Sequence, residues 1–128
     1  MPLYNTSSTA SAIGVTDKWL DNLLSHNKIE GVQQARQGVA RRLSLEAVLI
    51  ITVTRSLMEA FSIPAPRAIA LANDLMTAST GSVVFPPAVS LVLDIPTLRA
   101  MVIDQLMHAI EITPTRPRGR PKTPPTNR

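Results

Sequence analysis

Proline placement decides which stretches of this 128-residue chain can be regular. Pro64 and Pro66 nearly touch, Pro86 and Pro87 are adjacent, Pro96 stands alone, and Pro114, Pro117, Pro121, Pro124 and Pro125 crowd the C-terminus. Proline has no N–H and a fixed φ, so it ends helices except in their first turn and cannot donate to a strand ladder. Before the first pair, Ser44 is placed to cap a helix from Leu45 to about Phe61, with Leu45, Val48, Leu49, Thr52, Val53 and Leu57 at helical spacing. Ser62 to Pro66 breaks it. Arg67 to Ala78 reads as the next helix, with Ile69, Ala72, Leu75 and Met76 on its apolar side, and Ser79-Thr80-Gly81 as a turn or linker.

The Pro86-Pro87 pair interrupts a Val- and Leu-rich segment. It leaves either two short strands, about Val83 to Phe85 and Val89 to Leu93, or one edge strand with an extended lead-in. Pro96 suits a helix start, and Thr97 to Ile112 is the most apolar helical stretch. Leu98, Met101, Val102, Leu106, Ala109 and Ile110 form its stripe, and Ile103 and Met107 widen that stripe beyond what one core needs. This helix is expected to meet a partner subunit as well as its own core, giving a homodimer through residues 96–112. After Thr113 the repeated prolines and the charge predict a disordered tail.

Hydrophobic content is 45% with only four aromatic residues, so the core is aliphatic; the charged fraction is 17%. Mean hydropathy is +0.13, high for a small soluble monomer, which again points to apolar surface at an interface. The absence of cysteine removes disulfides, thiolate metal sites and thiol nucleophiles. Two histidines far apart and five scattered glycines build no catalytic or phosphate-cradling constellation, so neither an enzyme nor a cofactor is expected. No basic stretch followed by an apolar run opens the chain, and no apolar run approaches about 18 residues. A cytoplasmic, nucleoid-associated protein without membrane contact is expected.

Near the N-terminus, Ser7 to His26 shows two short helical patterns broken at Gly14-Val15. Ala10 and Gly14 occupy the small-residue and turn-glycine places of a helix-turn-helix; Ile13, Val15, Leu20 and Leu23 supply its apolar clamp. Thr16 is a good N-cap for the second helix, and Thr9 stands where an apolar residue is commoner. The second helix exposes Thr16, Asp17, Lys18, Asp21, Asn22 and Ser25. Lys18 and Asn22, one turn apart, suit guanine and adenine edges respectively. Trp19 is read as a core anchor, His26 as a cap of the helix end, and Asp104 with His108 as an exposed pair.

Charge is unevenly divided. Residues 113–128 carry Arg116, Arg118, Arg120, Lys122 and Arg128 and no acid, a formal +5; the rest has 8 basic and 9 acidic side chains, for a net +4 overall. Within that rest, residues 1–42 are +2 and residues 43–112 are −3. The body is therefore a weak polyanion binder by itself, the more so because Asp17 and Asp21 share the face of Lys18 and Asn22.

Arg116-Pro117-Arg118-Gly119-Arg120-Pro121-Lys122 resembles the AT-hook, an extended peptide that enters the minor groove of A·T-rich DNA. Gly119 permits close approach to the groove floor, Arg118 and Arg120 lie along it, and Pro117 and Pro121 keep the peptide extended. A second resemblance covers residues 7–78. Gly38-Val39-Ala40-Arg41-Arg42-Leu43-Ser44-Leu45-Glu46-Ala47-Val48 is similar to the wing-to-helix junction of MerR-like winged helix-turn-helix domains. Leu43 stands where that family usually has Tyr or Phe, and Trp19-Leu20-Asp21-Asn22 replaces an Arg-Tyr-Tyr-Glu-like string. The chain therefore looks closer to the small phage-type or excisionase-like relatives than to metal or drug sensors. The resemblance implies that the second helix enters the major groove, with Arg36, Arg41 and Arg42 as wing contacts to phosphates. The residues also leave room for one of Arg41 and Arg42 pairing with a local acid.

The expected fold is mainly α with a small β component: a flexible start (residues 1–6), a winged helix-turn-helix (7–78), short strands and an apolar dimerising helix (79–112), and a disordered basic tail (113–128). The expected function is a dimeric transcriptional regulator on double-stranded, A·T-rich DNA. The alternatives are an architectural DNA-binding protein, or a phage or toxin-antitoxin type interaction module.

Overall fold

The computed structural model describes residues 3–34 and 40–112, which form five helices and two small antiparallel sheets. Strand β1 (Leu3–Asn5) leads directly into α1 (Thr6–Ile13), and Asn5 caps that helix by accepting from the Ser8 amide at 2.7 Å. Gly14, at φ 88°, ends α1 in the left-handed conformation that glycine adopts without strain. Two residues later α2 (Asp17–His26) begins, capped by Thr16, whose hydroxyl accepts from the Trp19 amide at 3.0 Å. Strands β2 (Val32–Gln33) and β3 (Arg42–Ser44) follow as an antiparallel pair.

β3 is the middle strand of the first sheet, in the order β1-β3-β2. The N-terminal stretch, expected to be flexible over residues 1–6, is thus pairing over Leu3–Asn5: Leu3 faces Ser44, Tyr4 faces Leu43 and Asn5 faces Arg42. The reason is packing. Leu43 is fully buried, and half-buried Tyr4 and Val32 both lie opposite it on flanking strands.

Ser44 caps α3 (Leu45–Phe61), accepting from the Ala47 amide at 3.2 Å. This is the central helix: Ala47 through Ile51 are buried in succession, and Val53, Thr54 and Leu57 join them. A helix with so broad a buried surface is covered on several sides. Ser62 at φ 57° closes it, and α4 (Ala65–Thr77) starts two residues earlier than its apolar spacing alone suggested, because Pro66 fits the first turn. Ala68, Ile69, Leu71, Ala72 and Leu75 bury the inner face of α4.

The Val-rich segment forms a hairpin of β4 (Ser82–Phe85) and β5 (Val89–Val92), with a cis Pro86–Pro87 peptide in its turn; the two-strand alternative is the one observed. Asp94 then caps the last helix, α5 (Ile95–Ile112), accepting from the Thr97 amide at 3.1 Å. Leu98, Val102 and Leu106 of α5 share one buried cluster with Ala10, Leu20 and Leu49, and α5 packs chiefly on α1. Residues 79–112 are therefore not a separate unit appended to residues 7–78: one core runs through both. Only the outward flank of α5 keeps the excess apolar character seen in sequence, with Met101, Ile103, Met107 and Ile110 exposed. No helix among the described residues is long and apolar enough to cross a membrane.

Candidate nucleic-acid interface

The outer face of α2 displays a row of polar side chains. Thr16, Asp17, Lys18, Asp21, Asn22 and Ser25 are all exposed, while Leu20 and Leu23 are buried. That division follows from helical spacing in a helix pressed on one side against the core. Ile13 and Val15, named as clamp residues, are partly buried and pack against the same cluster. Thr9 is fully buried, and its polarity has a structural reason. Its hydroxyl donates to the Asn5 carbonyl at 2.9 Å, across the β1–α1 junction.

The two aspartates of this face are both engaged. Ser7 Oγ donates to Asp17 Oδ2 at 3.1 Å. Arg41 Nη1 donates to Asp21 Oδ1 at 3.3 Å, and Arg41 Nη2 donates to Ser25 Oγ at 3.2 Å. Of the two arginines in the Arg41-Arg42 step, the first is the one that pairs with a local acid. Its side chain is only 20% exposed, whereas that of Asp21 is 55% exposed. The pair offsets one of the two negative charges on the α2 face and ties the base of the β2–β3 hairpin to that helix.

Arg42 lies in β3, exposed, opposite Asn5 on one side and Gln33 on the other. Thr16 uses a lone pair in capping, which leaves its O–H free in direction to donate to an incoming acceptor. Lys18 and Asn22 stand one turn apart on the outer face. Arg36 and the Arg116, Pro117, Arg118, Gly119, Arg120, Pro121 and Lys122 run lie outside the described residues. The structure therefore brings Arg41 to the α2 face that carries Lys18 and Asn22, while Arg42 stands on β3 between Asn5 and Gln33.

At the other end of α2, His26 donates from Nδ1 to the Asn22 carbonyl at 2.8 Å, and Asn27 Nδ2 donates to the Leu23 carbonyl at 3.0 Å. Both side chains turn back onto the end of the helix, and the Asn27 bond satisfies a carbonyl that the helix end would leave open. Trp19 is half-buried against the core and lines a cleft of about 340 Å³ with Leu23, His26, Met58, Ala65 and Pro66. It anchors α2 while leaving part of its ring toward solvent. Two features of this site had no clear sequence signal: Ser25 as a ligand of Arg41, and β1 as the strand that braces β3. A three-residue strand carries too little alternation to be read.

No protein-family model, curated protein or solved structure matches this chain. Among the described residues no cluster of three or more His, Cys, Asp or Glu side chains is placed to hold a metal ion.

Proposed function

We propose that this protein is a DNA-binding transcriptional regulator of winged helix-turn-helix type, similar to the excisionase-like branch of the MerR-like domains. In this reading α1, the Gly14-Val15-Thr16 turn and α2 are the helix-turn-helix. The β2–β3 hairpin is the wing, and the Arg116–Lys122 run is an AT-hook. The observation that carries the reading is the Arg41 bridge. It fixes the hairpin base against α2 and offsets Asp21, so that Lys18 and Asn22 stand on a face with one of its two negative charges already compensated. α2 would enter the major groove, with Lys18 directed to guanine O6 and N7 and Asn22 to adenine N6 and N7. Arg36, Arg41 and Arg42 would neutralise phosphates beside it, and Thr16 would donate to one.

The tail has a different task. Its +5 charge exceeds that of the whole body, which is slightly negative, so the tail supplies most of the salt-dependent affinity. Arg118 and Arg120 would lie in A·T-rich minor groove, where narrowing concentrates negative potential. The folded part supplies register and selectivity.

A second reading has one observation in its favour. Asp17 remains on the α2 face with only a hydroxyl partner, which disfavours close approach to phosphates and suits an architectural protein whose tail does the binding. A salt titration separates the contributions. On A·T-rich duplex, removal of residues 113–128 is expected to lower the slope of log K against log salt by roughly 3 to 4, at about 0.9 per neutralised phosphate. An unchanged slope refutes the AT-hook. Lys18→Ala with Asn22→Ala then decides between regulator and architectural protein: loss of preference among sequences supports the first, and unchanged preference the second.

A further inference from the structure

The outward flank of α5 repeats with the period of a coiled coil. Ala100, Ile103, Met107 and Ile110 recur at intervals of three, four and three residues, and all four are exposed, Ile103 at 37%, Met107 at 60% and Ile110 at 52%. At 100° per residue this line lies roughly 120° around the helix from the buried stripe of Leu98, Val102, Leu106 and Ala109. It is a second apolar seam, distinct from the one that joins α5 to α1. Alternating spacing of three and four is the a/d pattern by which two helices interlock side by side.

We infer that the Ala100–Ile103–Met107–Ile110 seam pairs with the same seam of a second copy of this chain, with the two α5 helices parallel. Charge selects both the occupant and the direction. With Ala100 and Met107 at a and Ile103 and Ile110 at d, Arg99 falls at g and Asp104 at e. In a parallel pair each g position faces the partner's e position five residues further on, so Arg99 meets the partner's Asp104, twice by symmetry. An antiparallel pair instead sets e against e, bringing Asp104 beside the partner's Asp104. Arg99 Nη2 lies 3.0 Å from Glu46 Oε2 at the start of α3, and the side chain remains 41% exposed. A guanidinium has five donors in a planar fork, enough for a carboxylate of its own chain and one of the partner.

The exposed area of the four seam side chains is on the order of 300–400 Å² per chain, below the roughly 800 Å² of a stable interface. The association is therefore expected to be reversible and concentration-dependent. It does not depend on the DNA-binding reading, and its test contains no DNA. In sedimentation equilibrium of the full chain, the mass average should rise from one chain toward two between about 10 and 500 μM, a range suited to a small interface. Met107→Glu should weaken the association at least 10-fold, by setting two carboxylates in the seam. Asp104→Asn gives the sign: weakening of about 3-fold is expected for parallel helices from the loss of two exposed ion pairs, whereas strengthening would mean antiparallel helices and overturn the assignment.

Direction can be read covalently because the chain has no native cysteine. Ala100→Cys alone should form a disulfide-linked dimer on mild oxidation at least 10-fold faster than the control Ser90→Cys on exposed β5. Cross-linking only when Ala100→Cys is mixed with Ile110→Cys would overturn the parallel arrangement. A mass that stays at one chain throughout would overturn the self-association itself, and would leave the DNA-binding reading untouched.

Discussion

Arg41 Nη1 lies 3.3 Å from Asp21 Oδ1, joining the root of a β-hairpin to the exposed face of a helix twenty residues earlier in the chain. The pair is partly solvated, so its contribution to stability is small, about 0.2–1 kcal/mol. Its larger effect is on geometry. Arg41→Ala is expected to change the melting temperature little, yet to reduce DNA affinity more than Arg42→Ala does. On the proposed reading it would remove a phosphate contact, and it leaves the Asp21 charge uncompensated. Arg42→Ala should lower the salt slope by about 0.9 without altering sequence preference. Binding isotherms at several salt concentrations for both variants check the contrast, and equal losses would remove the special place given to Arg41.

Thr54 sits fully buried in α3, and its Oγ1 has no hydrogen-bond partner among the described residues. A buried, unmatched hydroxyl costs about 1–3 kcal/mol of desolvation. Thr54→Val keeps the shape and removes the polar atom, so it should stabilise the fold by about 1 kcal/mol in denaturant unfolding. Thr9→Val is the opposite case. That hydroxyl is equally buried but donates to the Asn5 carbonyl, so its removal leaves the carbonyl without this donor and should destabilise by about 1 kcal/mol.

Gly31 and Gly14 both hold positive φ, 94° and 88°, but only Gly31 is crowded. A Cβ on Gly31 would run into Ser44 Oγ, the atom that caps α3, and approach Ala47 Cβ at 3.1 Å. A Cβ on Gly14 would meet nothing within 4 Å among the described residues beyond its own chain neighbours. Gly14→Ala should therefore cost about 1–2 kcal/mol, the conformational penalty alone. Gly31→Ala should cost that plus about 0.5–2 kcal/mol for the disturbed cap. Chemical denaturation of the two variants measures the difference directly.

Asp94 accepts from the amide and the hydroxyl of Thr97, at 3.1 Å and 2.8 Å, and so opens α5. Asp94→Ala should cost about 0.5–2 kcal/mol. Because α5 shares its buried stripe with the α1 and α3 cluster, the loss should appear as one cooperative transition shifted to lower denaturant. A separate early transition would indicate that the α5 region melts independently.

The helices were legible where a cap, an apolar period and a breaker agreed. Ser44, the Leu45–Phe61 pattern and the Ser62–Pro66 stop predict α3 as it is found, and Pro86-Pro87 predicts the break between β4 and β5. β1 was not legible, because its three residues gain their conformation from pairing with a strand almost forty positions away. The same limit applies at α2. Helical spacing gives its exposed face from sequence alone, but which arginine would reach which acid depends on where the hairpin returns. The amphipathic width of α5 was visible, whereas its division into one seam toward α1 and another toward solvent required knowing what covers it.

The packing of α5 on α1 has a consequence for symmetry. α1 leads through Gly14, Val15 and Thr16 into α2, and both helices share the core with α5, so the outer seam and the exposed face of α2 are carried by one packed core. A twofold axis running along two paired α5 helices would therefore relate the two α2 helices as well. If the proposed DNA-binding reading holds, sites for such a pair would be inverted repeats, with half-site centres separated by whole helical turns of about 34–36 Å. Direct repeats would be excluded by the molecule's own rotation.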